Sequence, residues 1–121
     1  MREFISGIHH VSLSCRKEEV DEVLRFYSDT LGLDIVSKTE ECILFNAGNF
    51  LIEIFVNNKG IKEMGAIRHF AFAVTDTDAC AEKLGESGYS VFLGPVDVSY
   101  PARIAFCKGP LGEEIEFFEE Y

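Results

Sequence analysis

The two halves of this sequence repeat one another, and this repeat constrains the fold more than any other feature. Each half opens on Ile, one further residue, His and then alternating apolar residues, at Ile8–Leu13 and Ile67–Phe72. Each half closes on Ile-Glu, an apolar residue and Phe, at Ile52–Phe55 and Ile115–Phe118. A period of about 60 residues in only two copies is too long for a solenoid, so the repeat indicates a duplicated module.

The first half has the pattern of a strand, a helix and three more strands. Alternation predicts the first strand, and apolar residues spaced three and four apart from Val20 to Leu31 predict an amphipathic helix. Gly32 is placed to end that helix, and the Ala47–Asn49 segment has the character of a hairpin turn. The predicted strands are Ile8–Cys15, Leu33–Lys38, Cys42–Asn46 and Phe50–Asn57.

The second half repeats that order. Helix caps at Asp76–Asp78 predict a helix that runs to about Ser87, with Gly88 placed to end it. The predicted strands are Ile67–Val74, Tyr89–Val98, Ala102–Lys108 and Glu114–Glu119. The sequence therefore predicts an α+β fold, a single domain over residues 1–121 built from two βαβββ modules at about 8–57 and about 67–121.

Composition excludes several classes of partner. The chain has 11 basic and 21 acidic residues, a net charge of −10, which argues against nucleic acid and against an anionic membrane surface. No apolar run is long enough to span a bilayer, and no apolar signal segment opens the chain, so we expect a cytoplasmic protein. The four cysteines lack a C-x-x-C spacing, which favours buried thiols over a zinc site or disulfides.

Four polar residues inside predicted strands occupy matched positions of the repeat: His10, Glu53, His69 and Glu116. Equivalent positions of two related modules are expected to converge on a pseudo-twofold axis. Two carboxylates brought together there would repel one another without a cation, whereas two imidazoles and two carboxylates suit nickel, cobalt, zinc or manganese. The glutamates near the end of the chain are expected to be solvated or edge charges: Glu113, Glu114, Glu119 and Glu120.

Four segments resemble the vicinal oxygen chelate superfamily, which includes glyoxalase I and bleomycin-resistance-like proteins. They are Ile8–Val11, Phe26–Leu33, Ile67–Phe72 and Gly109–Glu116, and the F-Y-x-x-x-L-G-L helix end is the most specific. The resemblance covers nearly the whole chain and implies paired βαβββ modules whose mixed sheets curl into an open cup. It also implies that the first and last strands of each module supply metal ligands, which are the four residues named above.

The ligand set His, Glu, His, Glu resembles that of bacterial glyoxalase I, which favours nickel or cobalt. The implied activity is that of a lactoylglutathione lyase-like metalloenzyme in methylglyoxal detoxification. It would convert the hemithioacetal of an α-ketoaldehyde and a thiol into a hydroxyacyl thioester through a metal-bound enediolate. Either Glu53 or Glu116 would be the catalytic base, and the pseudosymmetry does not choose between them.

Further residues are candidates for substrate binding. By the resemblance, Asn57 stands four residues after the second ligand, where glyoxalase I often has Asn. Phe55 and Phe118 follow each glutamate by two residues on the same strand face and would wall the pocket, with plain core packing as the alternative.

The sequence does not identify the thiol cosubstrate, because Ser14 stands at the position where glyoxalase I typically has an arginine for the glutathione carboxylate. Arg103 is a candidate to bind an anionic tail instead, as are Arg16 and Arg68. Glutathione and other thiols are therefore both retained as the cosubstrate.

Two alternative functions are kept open. A methylmalonyl-CoA epimerase-like enzyme would share the cup, although such enzymes usually have Gln at the position of Glu53. A non-catalytic, resistance-type protein would bind a small molecule without turnover. Superfamily members of this length are usually homodimers, with the site either within one chain or shared between two.

Overall fold

The structure, a computed structural model, describes residues 2–4, 8–56, 69–99 and 101–121. The chain divides into two compact units, residues 1–62 and 63–121, close to the two modules predicted from the repeat. Asn57, Ile67 and Arg68 lie outside the described residues. That the two units form one domain stays a prediction.

The first unit holds one helical segment and an open four-stranded sheet. A 3-10 turn at Arg2–Phe4 precedes its strands, which are β1 (His10–Cys15), β2 (Asp34–Lys38), β3 (Cys42–Asn46) and β4 (Leu51–Val56). The strand order is β1-β4-β3-β2, with β1 parallel to β4 and the other neighbours antiparallel. The sheet is therefore mixed, with β1 and β2 at its edges.

The helical segment between β1 and β2, α1, changes pitch along its length. It begins as a 3-10 turn at Lys17–Glu19, continues as an α-helix at Val20–Val23 and ends as a π-helix at Leu24–Thr30. The Leu31 amide donates to the Phe26 carbonyl, five residues earlier, at 2.9 Å. This wider turn lets two consecutive side chains, Phe26 and Tyr27, enter the core, where the regular helical spacing predicted Tyr27 alone. The Tyr27 ring lies 5.5 Å from that of Phe45 on β3.

The second unit repeats this architecture. Its elements are β5 (Phe70–Ala73), α2 (Thr77–Glu86), β6 (Val91–Val98), β7 (Ala102–Lys108) and β8 (Glu114–Glu120). The strand order is β5-β8-β7-β6, with β5 parallel to β8 and the other neighbours antiparallel. The predicted α+β class and the duplicated element order are confirmed.

Polar contacts at its first turn attach α2 to the sheet. Asp76 caps the helix by accepting from the Ala79 amide at 3.0 Å. The buried Thr77 donates twice, from its hydroxyl to the Arg103 carbonyl at 2.9 Å and from its amide to the Glu119 carboxylate at 2.8 Å. Glu119 is therefore a helix-docking acceptor rather than a solvated charge.

The prediction that Glu113 is a solvated charge is wrong, because this residue is only 7% exposed. Its carboxylate folds back into the β7–β8 turn and accepts from the Leu111 amide at 2.8 Å. A Cβ built on Gly109 would lie 2.5 Å from the Glu113 carboxyl carbon, so the absent side chain of Gly109 provides the room. The turn thus uses a buried carboxylate to satisfy its own backbone.

Replacing Glu113 by alanine is expected to lower the free energy of unfolding by about 1–3 kcal/mol, because a charged hydrogen bond is lost inside the turn. Urea denaturation followed by circular dichroism measures the change. The control is Glu40→Ala, which removes an exposed turn carboxylate and is expected to stay within about 0.5 kcal/mol of the wild type. Equal stability of the two variants would contradict the role given to Glu113.

All four cysteines are free thiols; Cys15 and Cys107 are buried as predicted, whereas Cys42 and Cys80 are only half-buried. Burial, with the nearby Glu113 carboxylate as a second cause, raises the pKa of Cys107 to about 12. Such a thiol stays protonated and packs as a small apolar side chain. In the described parts of the chain, no helix has the length and apolar character needed to cross a membrane.

Candidate metal centre

The first unit brings together one of the predicted histidines and one of the glutamates. His10 begins β1, and Glu53 lies in the parallel neighbour β4. The distance between His10 Nε2 and Glu53 Oε1 is 3.7 Å, with side-chain exposures of 42% and 20%. This distance is too long for a hydrogen bond, so the imidazole and the carboxylate face one another without a direct bond.

The second unit brings together the other two. His69 stands immediately before β5, and Glu116 lies in its parallel neighbour β8. The distance between His69 Nε2 and Glu116 Oε2 is 3.0 Å, with side-chain exposures of 30% and 12%. This pair is tighter and more buried than the first, and its distance is that of a hydrogen bond.

The two pairs are built on the same strand register. Glu53 lies opposite Ser12, two residues after His10. Glu116 lies opposite Ala71, two residues after His69. In both units the histidine and the glutamate therefore project from one face of two parallel strands, because side chains two residues apart share a face. The sequence repeat thus extends to the geometry of the candidate ligands.

The surroundings of the first pair are partly apolar. Leu44 lies opposite Glu53 in β3, and Cys42 lies opposite Phe55, so all four side chains share one sheet face. Burial raises the pKa of the Cys42 thiol, and the negative charge of Glu53 raises it further. Phe55 is 39% exposed, which makes it available to contact a ligand as well as neighbouring side chains.

Phe55 also lines a cavity of about 750 Å³ in the first unit. The cavity lies between the start of α1 and the β2–β3 turn, and its walls carry both Lys17 and Lys38 as well as acidic side chains. An opening of this size with mixed charge suits a small polar molecule.

The surroundings of the second pair are aromatic. Phe106 lies opposite Glu116 in β7, and its ring meets the His69 ring edge-to-face with 5.0 Å between centroids. Phe92 lies 5.9 Å from Phe106 and is half exposed. Phe118, two residues beyond Glu116, shares its face, as predicted. The sequence-based predictions did not include Phe106. The alternation of side chains along β7, the strand next to Glu116, was the pattern that could have identified it.

His9 was also missed, since alternation assigned it to the apolar face of β1. The structure places its ring at the surface, against the ring of His10. The two Nδ1 atoms are 2.9 Å apart, a hydrogen-bond distance. The signal in the sequence was the adjacent pair of histidines itself.

Arg103 lies on the other face of the second sheet. It pairs with Glu119, whereas the adjacent Ile104 pairs with Phe118 on the face of Glu116. Its guanidinium donates to Asp78 at 2.7 and 3.0 Å and to Asp97 at 3.2 Å. These bonds raise the pKa of Arg103 and lower that of Asp78. The role the structure gives Arg103 is to attach α2 and β6 to β7.

The donor set fits a divalent transition metal, because each pair offers an imidazole nitrogen and a carboxylate oxygen on one face. Neither unit alone, within its described residues, gathers three or more metal-binding side chains. The four-residue set therefore stays a prediction, and so does Asn57, which lies outside the described residues.

Comparisons with solved structures show the same fold. A glyoxalase family protein from Enterococcus faecalis matches with a TM-score of 0.80 at 23% identity, over 96% of this chain and 99% of that one. Lactoylglutathione lyase from Agrobacterium tumefaciens matches with a TM-score of 0.74 at 20% identity, over 95% and 94%. TnmS3, an antibiotic binding protein from Streptomyces sp. CB03234, matches with a TM-score of 0.80 at 19% identity, over 98% of each chain.

At these identities the structural matches establish the fold and leave the activity open. No curated protein matched the chain by sequence. A family model covers residues 7–117, a span that includes both His–Glu pairs. The chain belongs to the Glyoxalase/Bleomycin resistance protein/Dioxygenase superfamily.

Proposed function

We propose that this protein is a divalent-metal-dependent, glyoxalase I-like lyase. It would isomerise the hemithioacetal of an α-ketoaldehyde and a thiol to a hydroxyacyl thioester. The observation that carries the proposal is the pair of His–Glu contacts at identical register in the two units. A binding protein that lacked metal chemistry would have no need of both pairs.

The metal would be held by His10 and Glu53 from the first unit and by His69 and Glu116 from the second. Nickel, cobalt and zinc are the preferred ions, with manganese a further candidate. When bound, a divalent ion supplies positive charge that stabilises negative charge developing on a substrate oxygen. The two pairs would meet either within one chain or between the two chains of a homodimer.

The carboxylates would also move the proton. The isomerisation removes the proton from the carbon that carries the sulfur and returns it to the neighbouring carbon, so no oxidant is consumed. Glu53 is the better candidate for this base, because it is the more exposed glutamate and lies 3.7 Å from its histidine. Glu116 lies 3.0 Å from His69 and is better suited to remain a fixed ligand.

Side chains around the pairs would bind the organic part of the substrate. Phe55 and Phe118 flank the glutamates on the same faces and would exclude water from the reacting carbons. The cavity beside Phe55 would take the tail of the thiol adduct, and its mixed charge, with acidic side chains beside Lys17 and Lys38, would suit a tail that carries both ammonium and carboxylate groups. Asn57, a substrate-binding candidate from the sequence, is kept in this proposal.

The proposal is tested by loading metal-free protein with each ion and supplying methylglyoxal with glutathione, cysteine or another small thiol. We expect thioester formation with at least one pairing of metal and thiol, and loss of turnover after chelation. We also expect saturating metal to raise the melting temperature, because an ion at about 100 times its Kd stabilises the fold by about 2.7 kcal/mol.

The control in this assay is Glu82→Gln, which removes one negative charge from the exposed surface of α2, outside the pairs and the residues that line the cavity, and should leave metal binding and turnover unchanged. Absence of thioester formation with every metal and thiol would exclude the lyase. Racemisation of a methylmalonyl thioester under the same conditions would instead support the epimerase.

A second candidate function is small-molecule binding without turnover. The observation that favours it is the aromatic group of Phe92 and Phe106 beside His69, which offers a partly exposed surface to a flat apolar ligand. Saturable quenching of the tyrosine fluorescence of the metal-free protein by such a ligand, together with no turnover of any substrate, would support this alternative.

A further inference from the structure

We propose that His9 is a positioning residue, whose ring fixes His10 in the tautomer that binds metal. The proposal rests on the proposed function, because it gives His9 a role only if His10 is a ligand. His9 accepts a hydrogen bond from Nδ1–H of His10, which leaves the Nε2 lone pair of His10 directed towards Glu53.

The geometry of the three residues supports this assignment. The two Nδ1 atoms lie 2.9 Å apart, and the rings are nearly perpendicular, at 85°. In a hydrogen bond between two imidazole nitrogens one ring donates its N–H and the other accepts, so the proton belongs to one ring or the other. The opposite nitrogen of His10, Nε2, faces Glu53 Oε1 at 3.7 Å.

Metal chemistry selects between the two placements of that proton. An imidazole binds a metal through its unprotonated nitrogen, so Nδ1 of His10 carries the proton when Nε2 is the ligand. A histidine ligand usually donates this second N–H to a fixed acceptor, which sets the ring orientation and the basicity of the ligand. His9 Nδ1 is the acceptor that the structure provides at hydrogen-bond distance.

The assignment also explains an exposed histidine that has no packing role. His9 stands outside the core, and its ring lies against the adjacent imidazole of His10. The equivalent position of the second repeat is Arg68, whose guanidinium has no acceptor. The support given by His9 is therefore specific to the first His–Glu pair.

The first experiment observes the proton directly. The chain has only three histidines, so ¹⁵N-labelled imidazoles give few signals, and single variants assign them. In zinc-loaded protein we expect Nδ1–H of His10 to couple to Nδ1 of His9 across the hydrogen bond. The His69 signals provide an internal reference, which should be unchanged in His9→Leu when zinc is saturating for both proteins.

The second experiment measures metal affinity by competition with a chromophoric chelator. We expect His9→Leu to weaken zinc or cobalt binding about 10-fold to 100-fold, the usual range for loss of a residue that orients a ligand. His9→Asn, which retains an acceptor, should recover most of the affinity. Ile8→Ala, at the neighbouring exposed position, is the matched control and should bind like the wild type.

The outcomes separate the two proposals. Metal affinity in His9→Leu equal to that of the wild type, or a bound His10 protonated on Nε2, would overturn the role of His9 and leave the metal site intact. A wild-type protein that binds no divalent ion would overturn the proposed function and this role with it. Melting curves of each variant exclude a general loss of folding, which an exposed substitution is not expected to cause.

Discussion

Replacing Gly94 by alanine is expected to lower the free energy of unfolding by about 3–5 kcal/mol, a large effect for a single methyl group. For a chain of this size the loss corresponds to a fall in melting temperature of about 10–20 °C. Thermal unfolding followed by circular dichroism, with urea titration for the free energy, measures the change.

Two causes act together at Gly94. Its φ of +79° is a left-handed conformation, which costs an L residue roughly 1–2 kcal/mol. A Cβ there would overlap the Ile104 carbonyl oxygen and lie 3.1 Å from the Ala105 Cα, both of them backbone atoms of β7. Because backbone in a paired strand cannot rotate away, β6 must separate from β7, next to the strand position that carries Phe106.

Two other glycines separate these causes. Gly32 also has a positive φ, +74°, but a Cβ there meets nothing within 4 Å, so Gly32→Ala should cost only the roughly 1–2 kcal/mol of strain. Gly85 lies inside α2 with open space around it, so Gly85→Ala should stabilise the protein by about 0.5–1 kcal/mol. A Gly94→Ala variant no less stable than Gly32→Ala would contradict the close approach of the two strands.

The repeat in the sequence predicted the fold because it combined two independent periodicities. Alternation located the strand ends within about three residues, and the matched I-x-H and I-E motifs showed that the element order occurs twice. The register of the His–Glu pairs followed from this, since first and last strands that pair in parallel bring the two motifs together. The prediction rested on local patterns, and the part of it that the structure shows is the His–Glu pair within each unit. The convergence of the two pairs stays a prediction.

Contacts that depend on side-chain reach were not predictable in the same way. Glu113 is buried because its carboxylate folds back over Gly109, and the period of a strand says nothing about a turn. Phe26 enters the core because the helix widens, which no spacing rule for a regular helix anticipates. An arginine is a common anion-binding residue, which made Arg103 a candidate. Its position in the alternation of β7 places it on the sheet face opposite Glu116.

Replacing each glutamate of the two pairs by glutamine is expected to give the largest functional effects. Glutamine keeps the size and one oxygen but removes the negative charge that a divalent ion requires. We therefore expect Glu116→Gln to weaken metal binding by at least about 100-fold, since this more buried carboxylate is the better suited to be a fixed ligand. Metal competition measures the affinity, and a melting curve of the metal-free variant shows whether the fold is retained.

Glu53→Gln is expected to give a different pattern, because Glu53 is the more exposed carboxylate and its distance from His10 exceeds that of a hydrogen bond. If Glu53 is the base that moves the substrate proton, the kcat of Glu53→Gln should fall by about 100-fold to 10,000-fold, the usual contribution of a general base. At saturating metal its KM should change little, since substrate binding does not require the proton transfer. The converse pattern, with a greater kcat loss at saturating metal in Glu116→Gln, would assign the base to the second unit. Unchanged turnover in both variants would show that neither carboxylate takes part in the reaction.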